Sequence, residues 1–209
     1  MLHKVAVDPH TLELLIRLQQ KEYLRGFNLV GGTALALQIG HRTSIDIDLF
    51  SDFAFDAVSV LENLSVDFDF KLFFSANNTL KGSIEEVQVD IMAHRYPFVN
   101  SPVNIENIAM VSTEDIIAMK LNAIATSGQR VKDFIDIYFL FDRYSIDDMI
   151  SFYKKKYSSY NEVNILKSII WFEDIDHSDW PVLLRNPDLK WVEIKKKIIS
   201  ETQKYLRKR

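Results

Sequence analysis

Gly31-Gly32-Thr33 and, further along, Asp46-Ile47-Asp48-Leu49 are the residues whose types and spacing could do chemistry. Two carboxylates at i and i+2 of an extended segment project from the same face, close together. Each then raises the pKa of the other, and a divalent cation bound between them removes that cost. Oxygen ligands favour Mg²⁺ or Mn²⁺, with the remaining positions left to water and phosphate oxygens. A double glycine opening a short helix exposes backbone N–H groups to which a phosphate can come close. The combination points to metal-assisted chemistry on a nucleoside triphosphate. Asp90 is the natural third carboxylate, because Val87, Val89 and Ile91 alternate with Gln88, Asp90 and Met92. If that strand neighbours the Asp46/Asp48 strand, Asp90 shares the metal and accepts the proton of an attacking hydroxyl.

The elements that must position these groups can be read from the pattern. Asp8-Pro9 opens a helix expected to run to Arg25, with Gly26 closing it. Phe27–Val30 is a short strand, Thr33–Ile39 a helix stopped by Gly40, and Ser44–Phe50 an alternating strand. A helix over Phe55–Leu64 precedes strands over Val66–Ala76 and Ile84–Met92, with Asn77-Asn78 as a turn. Strand signals end with Val103–Val111. Ser112-Thr-Glu-Asp115 then caps a helix to Thr126, and Val131–Phe141 is apolar nearly all round, as a helix inside a bundle would be. Further helices are expected over Asp147–Lys156, Asn161–Phe172 and Trp191–Arg207. The chain thus reads as α+β: a mixed half, 1–110, followed by a helical half, 111–209, that completes the cleft.

Composition limits the alternatives. The chain has 209 residues, 25 Lys+Arg against 29 Asp+Glu, a formal net charge of −4 and 47% hydrophobic residues, enough for a sizeable core. With no cysteine, disulfide scaffolds, thiolate metal sites and thiol catalysis are excluded. No apolar run reaches the roughly 18 residues of a membrane span, and the N-terminus lacks a signal-peptide core, so a soluble cytoplasmic protein is expected. Of six glycines, four (Gly26, Gly31, Gly32 and Gly40) fall in one short stretch, where the backbone must need its freedom.

At these residues the pattern resembles the polymerase-β-like nucleotidyltransferases. The longer string from Leu29 to Ser51 resembles, more narrowly, their AbiEii/AbiGii toxin branch. Lys120-Leu-Asn-Ala123 with Arg130-Val-Lys-Asp133-Phe-Ile-Asp136 is similar to a second signature of that branch. Trp171-Phe-Glu-Asp174, followed by Trp180-Pro181 and Trp191, is similar to its C-terminal ending, so the resemblance covers essentially the whole chain. It implies a polymerase-β-like mixed sheet with flanking helices and a C-terminal helical bundle. It also implies transfer of a nucleoside monophosphate from an NTP to an acceptor hydroxyl, which for some relatives is the tRNA 3′ end. Gly31, Gly32 and Thr33 would meet the triphosphate, and Asp46 and Asp48 would hold Mg²⁺ or Mn²⁺. Lys120 and Asp133 match catalytic positions, a cation on the phosphates and a carboxylate near the acceptor. A cognate antitoxin is the implied protein partner.

Plainer roles compete with these. Asp133 and Asp136 could pair with Arg130 and Lys132 along one helix. His41-Arg42 could steer the triphosphate, while Trp171, Trp180 and Trp191 are expected in the core. Lys154–Lys156, Lys195–Lys197 and Arg207–Arg209 are expected on exposed helix faces, where they could also meet RNA backbone. Two other functions stay open here: an inactive nucleotide-binding regulator acting through a protein partner, and an enzyme that modifies a protein hydroxyl.

Overall fold

Ile47 and Leu49 are wholly buried while Asp48 and Phe50 are only partly so, which gives β2 (Ile47–Ser51) one core face and one face toward a cleft. The same alternation runs along β5 (Val87–Ala93), with Val89 and Ile91 buried and Asp90 and Met92 turned the other way. The two strands pair in parallel, Ile47 opposite Val89 and Asp48 opposite Asp90. They are therefore neighbours, as the expectation for Asp90 required.

The computed structural model describes residues 1–158 and 161–208. With β1 (Asn28–Leu29), β3 (Lys71–Ala76), β4 (Thr79–Ile84), β6 (Val103–Ile105) and β7 (Ile108–Met110), β2 and β5 form a mixed seven-stranded sheet ordered β3-β4-β5-β2-β1-β7-β6. Around it lie α1 (Pro9–Gln19), α2 (Gly31–Ile39), α3 (Ala57–Phe68), α4 (Thr113–Thr126), α5 (Val131–Leu140), α6 (Ile146–Lys156), α7 (Glu162–Ile169) and α8 (Trp191–Arg207). A parallel β2–β5 pair needs a crossover, which α3 and the β3–β4 hairpin supply. α2 packs on α4 and α5, so the helical half meets the sheet at the glycine turn.

Several boundaries move from the sequence expectation. α1, capped by Asp8 through the His10 N–H, ends at Gln19 rather than Arg25. A 3₁₀ turn over Glu22–Leu24 then puts Leu24 into the core. Gly26 (φ 85°) accordingly turns the chain into β1 instead of closing α1. Gly40 (φ 62°) does cap α2. The strand expected from Val66 begins only at Lys71, because α3 continues to Phe68. β4 carried no usable signal: its Gly82-Ser83 pair is buried, with the Phe70 ring pressed against Gly82. The β4–β5 turn is made by Glu85 and Glu86, both at positive φ, so β5 starts at Val87. Glu106 and Asn107 do the same between β6 and β7, dividing what reads as one strand.

Among the basic runs, Lys156 is not on an exposed face. It is 2% exposed, and its Nζ lies 2.8 Å from Asp115 Oδ1. Asp115 also accepts the Val99 and Asn100 N–H groups, which ties α4 and α6 to the loop before β6. Lys156→Ala should cost roughly 3 kcal/mol by leaving Asp115 buried without its cation. Urea denaturation measures this, and a loss under 1 kcal/mol would contradict it. Arg209, the end of the last basic run, lies outside the described residues. Trp191 is half-buried against the Phe134 and Phe172 rings, and Trp180 is half-buried, but Trp171 is 57% exposed rather than core. Its indole instead donates to Asp174 across the surface.

Candidate active site

The register that sets Asp48 opposite Asp90 puts two carboxylates on one sheet face. Asp46 lies just before β2, since the strand begins at Ile47 and not Ser44. Burial first, then the charges of Asp90 and Asp46, push the Asp48 carboxyl up to about 6. Lys120 and Arg130 oppose that rise. On β4, opposite Asp90, Lys81 reaches across with its Nζ 2.5 Å from Asp90 Oδ2. The donors are all oxygen and one is ionised at a cost, so the set fits a hard divalent cation. Among the described residues no three ligating side chains converge on one point. Such a cation would therefore take a carboxylate or two from the protein and the rest of its shell from water and phosphate, the usual habit of Mg²⁺.

Gly31 sits directly over this pair. Its φ is 70°, and a Cβ there would run into Asp48 Oδ2. The turn is further locked by the Val30 N–H, which donates to the Asp48 carbonyl at 2.9 Å. Val30 gives α2 no side-chain cap, so its first-turn N–H groups lack one at the end where Gly31 meets Asp48. Gly31→Ala should cost about 1–2 kcal/mol in backbone strain. By displacing Asp48 it should also lower transfer activity about 10²-fold or more. Steady-state rates and thermal melts on the same variant measure both; an active Gly31→Ala would disprove the close packing. Gly32 lies against Arg42 Nη2 and Ser44 Oγ. Thr33, expected at the triphosphate, is 1% exposed, and its hydroxyl donates to the Asp46 carbonyl at 2.5 Å. Its side chain thus holds the Asp46 segment in place and does not face the cleft.

The opposite wall comes from the helical half. Lys120 on α4 is 5% exposed, with Nζ 2.6 Å from Asp133 Oδ1 and 2.7 Å from Asp136 Oδ2. Asp136 in turn takes Arg42 Nε at 2.7 Å, Arg42 Nη2 at 3.0 Å and His41 Nε2 at 2.7 Å. Burial alone would raise the Asp136 carboxyl; Arg42, Lys120 and His41 overcome it and hold the group well below its ordinary range. Burial keeps His41 low and neutral despite Asp136. Its Nδ1 is buried with no hydrogen-bond partner among the described residues. Two expectations change here. Asp133 and Asp136 pair with Lys120 and Arg42 across elements, while Lys132 goes to Asp179. Arg42 is a buried structural cation, not a loop residue free to steer a triphosphate, because it is paired with the buried Asp136 carboxylate.

Between the walls lies a cleft of about 250 Å³ lined by Gly31, Asp48, Asp90, Lys120, Asp133 and Arg130, with apolar residues at one end. Asp46, Asp48, Gln88, Asp90 and Arg130 line a polar extension of about 230 Å³. Gly31, Asp46, Asp48, Asp90, Lys120 and Asp133 are thus brought together; Gly32, Thr33 and Arg42 support them from behind. Sequence reasoning missed Lys81 and Arg130 as cleft residues. Lys81 belongs to the unread strand, whereas Arg130 stands in the Arg-Val-Lys-Asp string but looked like a helix-pairing partner. Among the described cations lining the cleft, Arg130 alone has no carboxylate partner; Lys81 and Lys120 are already bound.

Residues 13–207 match the family model described as "Nucleotidyl transferase AbiEii toxin, Type IV TA system". The chain belongs to the AbiEii nucleotidyltransferase toxin family. An uncharacterized protein of Aquifex aeolicus is 32% identical over 154 residues, which span 71% of this chain and 74% of that one. Among solved structures, the MenT4 nucleotidyltransferase toxin of Mycobacterium tuberculosis superposes with a TM-score of 0.61 at 15% identity, covering 92% of this chain and 81% of that one. JHP933 of Helicobacter pylori superposes at 0.54 and 16% identity over 97% and 94%. At such identities these likenesses establish the nucleotidyltransferase fold, a mixed sheet with flanking helices. The AbiEii family assignment rests on the match that runs almost end to end.

Proposed function

We propose that this AbiEii-family chain transfers a nucleoside monophosphate from an NTP to an acceptor hydroxyl, with an RNA 3′ end such as that of tRNA as first candidate. It would act in the cytoplasm as a toxin that a cognate antitoxin counters; no described helix is long and apolar enough to cross a membrane. The observation that carries the reading is the in-register Asp48–Asp90 pair beneath Gly31, facing Lys120. Asp46 and Asp48, with Asp90 beside them, would hold Mg²⁺ or Mn²⁺, which supplies positive charge for an in-line displacement at the α-phosphorus. The α2 N-terminus, with Gly31 and Gly32, binds the triphosphate through backbone N–H groups. Lys120, held by Asp133 and Asp136, would direct an N–H donor at the phosphates from the opposite wall. Arg130 faces the charge that grows on the departing pyrophosphate. Asp90, steadied by Lys81, takes the acceptor proton as the new P–O bond forms and the bond to pyrophosphate breaks. Residues 1–110 thus carry the nucleotide, and 111–209 close the cleft over it.

The test is to incubate the protein with each α-labelled NTP, Mg²⁺, and either total RNA or cell protein. Label should enter RNA, and Asp46→Asn should remove it by at least 10³-fold. Label in protein alone would replace the RNA acceptor; transfer that survives both Asp46→Asn and Asp48→Asn would overturn the enzymatic assignment.

A further inference from the structure

The cleft is not uniform along the strands, and its two ends suit different parts of the reaction. Two residues beyond the Asp48–Asp90 pair, on the same sheet face and about 6.6 Å along, the register sets Phe50 opposite Met92. Met119 and Ile116 on α4 line the cleft with them. In the other direction Gln88 on β5 and Asp46 just before β2 line the polar extension. Phe50 is backed by His94 at 5.8 Å between ring centroids, and His94 by Tyr96 at 4.7 Å, so its ring is held in place.

We propose that Phe50, Met92 and Met119 form the nucleobase site of the donor nucleotide, leaving the polar end beside Asp46 and Gln88 to the acceptor. The inference rests on the nucleotidyltransferase reading above. That reading puts the α-phosphorus at the carboxylates and the triphosphate against Gly31. The sugar and base must then extend along the strands one way or the other. Toward Gln88 they would meet polar and charged side chains, whereas toward Phe50 they meet an aromatic ring and two thioethers. An aromatic face stacks on any base, and methionine adapts to rings of different size. Because these side chains grip the faces of the base and do not read its edge, their contribution should be similar for all four NTPs.

Equilibrium binding tests this. ATP, CTP, GTP and UTP with Mg²⁺, and inorganic tripolyphosphate, are titrated into wild-type protein, Phe50→Ala and Met119→Ala. Phe50→Ala should weaken each nucleotide roughly tenfold, and Met119→Ala severalfold, while tripolyphosphate binding stays unchanged. Phe50 and Met119 both pack against the core, so Phe50→Leu, which keeps the bulk and removes the aromatic face, should weaken the nucleotides likewise and provides the reading if either truncation folds poorly. Unchanged nucleotide affinity in both variants would overturn the proposal, as would equal weakening of tripolyphosphate. Wild-type protein that binds tripolyphosphate as tightly as nucleotides would overturn the base site alone. Wild-type protein that binds neither would remove the nucleotidyltransferase reading and this inference with it.

Discussion

Asp48→Asn should abolish nucleotide transfer and yet leave the metal-free protein more resistant to heat than the wild type. On the proposed function the activity falls by at least 10³-fold, because one of the carboxylates that would hold the metal is gone. The stability rises because the fold holds that carboxylate against its own preference. Its pKa, pushed up to about 6 by burial and by Asp90 and Asp46, lies above the ordinary 3.8. For a group displaced in this direction, the contribution to stability is full below the unfolded value and is lost as pH rises through the folded one. Above pH 6 the charged Asp48 therefore works against folding, by about 3 kcal/mol. Asparagine keeps the shape without the charge. In EDTA-treated samples the variant should melt higher than wild type at pH 8, and the gap should close by pH 4. A variant that melts lower at pH 8 would mean that Asp48 has a stabilising partner the geometry does not contain.

Asp136→Ala should be the most damaging single change to the fold. Arg42, Lys120 and His41 all converge on this fully buried carboxylate. Deleting it leaves the Arg42 guanidinium without its carboxylate and Lys120 with Asp133 alone. Breaking a buried ion network in this way costs about 3–5 kcal/mol. That corresponds to a melting point lower by roughly 10 °C for a chain of this size. The pH dependence has the opposite sign from Asp48. Asp136 is held well below its ordinary value, so its contribution is present above the usual carboxylate range and is lost as pH falls below it. Arg42→Met combined with Asp136→Asn should lose less than the sum of the two single losses, since neither charge is then stranded. Strict additivity in that cycle would show that the two groups do not depend on each other.

Lys120 and Asp133 are candidate site residues in the sequence only through resemblance to a family; by themselves they read as a surface lysine and a helix ion pair. The reason is physical. Pairing at i,i+3 or i,i+4 can be seen along one helix, whereas the pairing that occurs runs from α4 to α5 and on to the loop after α2. Lys156 was misread for the same reason, because its partner Asp115 lies on another helix. Lys81 was invisible for a different one. Its strand is turned by Glu85 and Glu86 at positive φ and carries a buried Gly82-Ser83, so neither alternation nor turn residues mark it.

By itself the sequence determined the parts that depend on neighbours in the chain. Val89 and Ile91 face the core and Asp90 the cleft because side chains alternate along a strand, and Gly40 ends α2 because a left-handed residue is needed there. The absence of cysteine excluded thiolate metal sites and thiol catalysis. The tertiary structure alone decided which carboxylates meet and which cations answer them. The parallel β2–β5 register sets Asp90 beside Asp48, Gly31 is required by the carboxylate beneath it, and Arg42 is drawn inward to Asp136 while Arg130 is left facing the cleft. Such choices follow from burial and charge balance between distant segments, which no local pattern encodes.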